Sequence, residues 1–152
     1  MNDNVKKFLI GAYLLLFLLF LIIISLITYF SEYNDSLIRS LIYIGSAGGL
    51  GGTVYCIRGF YQNAGTGSFS FNWVPWYIFR PFISIVTGII IYFLLIGGLL
   101  TIGSVSKTNT SSSIMFYCSI SYLAGFSFTQ FYDKIDELTS TLFSSKGKEE
   151  GK

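Results

Sequence analysis

Four long stretches of this chain contain no Asp, Glu, Lys or Arg: 24 residues between Lys7 and Glu32, 18 between Arg39 and Arg58, 26 between Arg80 and Lys107, and 25 between Lys107 and Asp133. A helix of about 20 apolar residues crosses a hydrocarbon core about 30 Å thick, so each stretch is long enough, or nearly so, to span it. The expected fold is all-α, an integral membrane bundle of four transmembrane helices. Composition agrees: of 152 residues, 52% are hydrophobic and only 12% charged, with a mean hydropathy of +0.61, outside the range of an ordinary soluble domain. Residues 1–143 are read as one transmembrane domain in which the last helix extends beyond the membrane. The tail 144–152, SSKGKEEGK, is read as disordered because it has nothing apolar to bury.

The first apolar stretch follows the lysine-bearing head MNDNVKK, as in a secretory signal. Its apolar core is too long for one and SEYNDS offers no small-x-small cleavage site, so it is expected to stay as a lipid-facing helix. An even number of crossings puts both termini and the loop between the second and third helices on one side. That side then holds Lys6, Lys7, Arg58, Arg80, Lys134, Lys146, Lys148 and Lys152, against Arg39 and Lys107 opposite. The positive-inside rule orients both termini to the cytoplasm of a cell-membrane protein.

Within the inner loop, QNAGTGS reads as a polar turn, and FNWVPWYIF sets Trp73 and Trp76 at headgroup level as aromatic anchors ahead of the third span. Pro81 is expected in the first turn of that span, where its missing N–H breaks no bond. Arg58, Arg80 and Asp133 border the same interface. Two readings of them are equally supported: an Arg–Asp pair that fixes helix register, or arginines bound to lipid phosphates. From Phe128 onward Phe131, Tyr132, Ile135, Leu138 and Leu142 recur at helical spacing opposite Asp133, Lys134, Asp136 and Glu137, so the fourth helix is expected to continue as an interfacial or partner-docking extension.

The second stretch contains GSAGGLGG. Glycine costs a helix interior roughly 1 kcal/mol relative to alanine, so this density needs a return. At 100° per residue Gly45, Gly48, Gly49, Gly52, Cys56 and Gly59 share one stripe. Small residues let helix backbones approach closely where lipid gives no hydrophobic driving force. Matching pairs occur at Ser84 and Gly88 in the third span and at Ser121 and Gly125 in the fourth. A compact bundle of helices two, three and four is predicted around these eight residues. A phosphate-cradling loop is excluded because neither of its spacings is present. An unwound helix lining an ion or substrate path stays a competing use of the stripe, since this span of 18 residues is the shortest of the four.

Histidine is absent, which excludes Ser-His-Asp, Cys-His and histidine-bearing metal chemistry. Cys56 and Cys118 fall near opposite ends of their spans, too far apart for a disulfide. No acid lies within a predicted span, so no intramembrane proton relay is expected. No catalytic residue, metal or cofactor is therefore assigned, and without a basic, aromatic-interleaved patch no nucleic-acid partner is expected.

The succession of a Gly-rich second span ending in an arginine, then WYIFRPFISIVTGIIIYFLLIGGLL, then SYLAGFSFTQFYDKIDEL, resembles small, largely uncharacterised prokaryotic four-helix membrane proteins. In that pattern an Arg-Pro precedes a small-xxx-small span and an Ala-Gly-Phe-Ser sits in the last helix. The likeness covers Gly45 to Leu138 and implies architecture, with no activity to transfer. The expected function is that of a non-enzymatic membrane module, homo-oligomeric or anchoring a cytoplasmic protein partner through small-residue packing. The alternative is an oligomeric channel or membrane-permeabilising pore, lined between subunits because one chain has too little polar surface for a conduit.

Overall fold

Where apolar residues run on without a break, the main chain satisfies its N–H and C=O groups most simply by bonding along its own segment. The computed structural model describes residues 3–31, 35–65, 71–98 and 110–143, and every regular element among them is helical. In order they are α1 (Asp3–Phe30), α2 (Ser36–Gly65), a 3-10 turn over Phe71–Trp73, α3 (Val74–Ile96), α4 (Thr110–Phe126) and α5 (Phe128–Phe143). Three helices, α1, α2 and α3, are long and apolar enough to cross a membrane. The apolar part of α4, Ser113–Phe126, is shorter. Lys107 and the tail 144–152 lie outside the described residues.

α2 is the central helix, with α3 and α4 packed most extensively on it and α1 on a third side. Neighbouring pairs fix the directions. Gly11 lies beside Phe60, Leu21 beside Gly49, and the Ser25 and Ser46 hydroxyls hydrogen-bond at 2.8 Å, so α1 is antiparallel to α2. Ser84 meets Gly52 and Gly88 meets Gly48, so α3 is antiparallel as well. Ser121 lies against Ile44 and Phe126 against Tyr55, so α4 runs parallel to α2. These directions gather the start of α1, the end of α2, the start of α3 and the α4–α5 junction at one end of the bundle. There Ile10, Leu14, Cys56 and Tyr77 form a buried cluster.

Helix boundaries differ from the sequence expectation in two places. α2 does not close at Arg58 but continues to Gly65, taking the first half of the expected QNAGTGS turn into the helix. Tertiary contacts hold the extra turns: the Phe60 ring packs edge-on against Tyr77, and Asn63 Nδ2 donates to Tyr77 Oη at 3.2 Å. Pro81 does not open the third helix. α3 begins at Val74, so Pro75 takes the first turn, and Pro81 is buried inside the helix. The local reason is that Trp73, at the end of the 3-10 turn, already lies in the right-handed helical region, and a proline two residues on adopts helical φ at no cost in hydrogen bonding. α3 ends at Gly97 and Gly98. The Gly98 φ of 73° is a left-handed conformation that β-carbon-bearing residues avoid, and the Gly97 N–H donates to Phe93 O at 2.8 Å.

α4 and α5 are separated only at Ser127. Ser127 belongs to both ends: its N–H donates to Leu123 O at 2.8 Å, closing α4, and its carbonyl accepts from Phe131 N at 3.1 Å, opening α5. Among the other helices α5 packs chiefly on α4.

Candidate functional site

The small residues singled out by spacing meet where α2, α3 and α4 converge. A β-carbon at Gly48 would lie 2.6 Å from the Ser84 carbonyl oxygen, 2.9 Å from Ser121 Oγ and 3.0 Å from Gly88 Cα. One at Gly125 would strike the Gly48 carbonyl, one at Gly88 the Ser121 hydroxyl, and one at Gly52 the Ser84 side chain. At Gly48 and Gly125 the nearest obstacle is main chain, which cannot move aside. Gly49 is different: its obstacles are side chains, Ile85 Cγ1 at 2.6 Å and the end of Leu21 at 2.9 Å. Gly45 is different again, because Ile85 and Ile89 are 3.4 Å away, an ordinary van der Waals distance. Cys56 is buried, and both cysteines are free thiols.

Gly51 was missed by the single-stripe reading. Its β-carbon would run into the Tyr122 carbonyl and come within 2.9 Å of Phe126 N. The signal was its place three residues beyond Gly48, which puts it on the neighbouring face. A central helix with three neighbours needs close approach over more than one stripe, and this explains why glycines occupy so much of the α2 circumference.

Buried hydroxyls complete the seam. Ser121 Oγ donates across the interface to Ile44 O at 2.7 Å. Thr53 donates to Gly49 O at 2.7 Å, Ser84 to Arg80 O at 3.0 Å and Thr87 to Ile83 O at 2.9 Å, each one turn back in its own helix. Each of these polar groups is thus satisfied without water.

The interface anchors separate into two environments. Arg58, Trp73 and Asp133 are exposed, and Trp76 is half-buried. Arg80 is only 6% exposed. Among the described residues neither arginine pairs with Asp133, so the Arg–Asp register pair does not form; the charge pair on α5 is Lys134 with Glu137. The reason is placement: Arg80 lies about 9 Å inside α3, counting 1.5 Å per residue from Val74, whereas Asp133 sits on the exposed part of α5. Arg80 is instead boxed by three rings, with Cζ 4.5 Å from the Tyr55 centroid, 4.6 Å from Phe128 and 4.9 Å from Trp76. A desolvated guanidinium gains on the order of 2 kcal/mol from a well-placed ring face, which offsets much of the cost of burying it. Arg80 Nε and Nη2 remain buried without a hydrogen-bond partner among the described residues.

Set against family models, curated proteins and solved structures, the chain matches none.

Proposed function

We propose that this chain is a non-enzymatic integral membrane module that crosses the cell membrane four times with both termini in the cytoplasm, and that self-associates or anchors a partner through its C-terminal helix. The observation that carries this reading is the dry seam: Thr53, Ser84, Thr87 and Ser121 all donate to main-chain carbonyls, and glycines bring three backbones together around them. Polar atoms committed to packing are withdrawn from chemistry and from lining a conduit. The fourth crossing is supported by α4 itself. It packs Gly125 against Gly48, midway along α2, and α5 follows directly after Ser127, adding helical length beyond its short apolar part. With the seam consumed inside one chain, self-association falls to the outward apolar faces of α1 and α3, where Leu15, Leu16, Phe82 and Val86 are exposed.

Reconstitution tests the function. Purified protein in liposomes is expected to run as one discrete oligomer and to pass no current. Reproducible single-channel steps altered by substitutions at Gly48 or Thr53 would replace the module by the pore. Topology is tested separately with a membrane-impermeant thiol reagent on intact cells, in a chain with both native cysteines replaced by serine. Cysteines introduced at Asn2 and Gly147 are expected to be shielded and one at Thr110 labelled. Labelling at Gly147 would overturn the orientation.

A further inference from the structure

The two unpartnered nitrogens of Arg80 are not an arbitrary pair. Nε and Nη2 lie on one edge of the planar guanidinium, the edge whose N–H groups point the same way and form a fork matched to two oxygens of one oxyanion. Tyr55, Trp76 and Phe128 cover ring-facing approaches to the group and supply no strong acceptor to that edge. A buried cation whose fork edge has no partner among the described residues is matched by the two oxygens of one oxyanion. We propose that Arg80 and its three rings form a binding site for a phosphate oxyanion, seated on the Nε–Nη2 edge.

The surroundings match that ligand. Arg58 ends up at the same end of the bundle, and Trp73 and Trp76 mark a layer of the kind tryptophan occupies among headgroups. Phe128, on the first turn of α5, is the wall through which the anion enters, because α5 packs chiefly on α4 while Tyr55 and Trp76 belong to the mutually packed α2 and α3. The phosphate comes from an anionic lipid headgroup or from free phosphate. The choice of lipid rests on the membrane-crossing reading, whereas the anion site itself does not.

Trp73 and Trp76 are the two tryptophans of the chain, so Trp73→Phe leaves Trp76 as the only indole and makes its fluorescence a reporter of the box. The full chain in neutral detergent is titrated with short-chain phosphatidic acid, with phosphatidylcholine of the same tail length, and with inorganic phosphate. A saturable change with phosphatidic acid, at least tenfold weaker with phosphatidylcholine, is expected and identifies a lipid source. An equal response to inorganic phosphate supports the site and identifies free phosphate as sufficient. Arg80→Lys keeps the charge but loses the fork, and is expected to weaken binding at least tenfold. Arg80→Leu is expected to abolish the response, and the lysine variant decides the matter if the leucine variant does not fold. No saturable Trp76 response to either anion, or an unchanged midpoint in Arg80→Lys, overturns the site. The thiol-labelling result bears only on topology, so the two readings fail separately.

Discussion

At Gly51 and Gly125 a single methyl group decides whether α4 can reach α2, because in each case the obstacle is a main-chain carbonyl. Gly51→Ala and Gly125→Ala are expected to lose about 1–3 kcal/mol, as over-packing of a tight core does. Gly45→Ala, where the added carbon finds ordinary contact distance, is expected to be neutral or to gain up to about 1 kcal/mol from helix propensity. Reversible unfolding in mixed detergent micelles reads all three, and equal losses would mean that the carbonyl contacts do not limit the packing. Spacing alone identified Gly45, Gly48, Gly49 and Gly52 as one set, but the ranking within the set was not legible, because it depends on whether the facing atom is rigid backbone or the free end of an isoleucine. The same limit applies to Arg80. Sequence located it at an interface, whereas its three rings come from α2, α3 and α5 and are brought together only by the fold.

Among the elements, α2 carries the architecture and α1 is the most peripheral of the long helices. The register between them hangs on the Ser25–Ser46 hydrogen bond, so Ser25→Cys with Ser46→Cys, in a chain without Cys56 and Cys118, is expected to form a disulfide on mild oxidation. Ser25→Cys with Ile42→Cys, one turn out of register, is the control expected to stay reduced, and cross-linking of the control alone would mean a slipped helix. Ser121→Ala removes the bond from α4 to the Ile44 carbonyl and is expected to cost about 0.6 kcal/mol, the average for interhelical hydrogen bonds within membranes, by the same unfolding measurement. Charge-free length announced the long helices. Their ends were less legible, since extending α2 to Gly65 depends on Asn63 and Phe60 meeting Tyr77, and the exchange of roles between Pro75 and Pro81 depends on where the preceding 3-10 turn finishes.

For the molecule as a whole, the antiparallel, antiparallel, parallel order around α2 puts Arg58 and Arg80 at one end and Arg39 at the other, in keeping with the charge asymmetry of the sequence. Stability is graded along the same axis. Amide hydrogens of α2, enclosed by three helices, are expected to exchange slowest in micelles, and those of α5, which packs chiefly on α4, fastest of the helices described. Uniform exchange across both would contradict this grading. The composition announced a membrane class and the sequence offered arginines on lipid phosphates, but which edge of Arg80 would be left without partners was not foreseeable, because it is settled only once everything else has packed. The break in the helix at Ser127 has a mechanical consequence. α4 is held where Gly125 rests on the Gly48 carbonyl, whereas α5 packs chiefly on α4, so bending between the two concentrates at Ser127, whose N–H closes one helix and whose carbonyl opens the next. Phe128 lies next to that hinge, so a load applied to α5 near Phe143 is expected to reach the ring over Arg80 as a change of tilt.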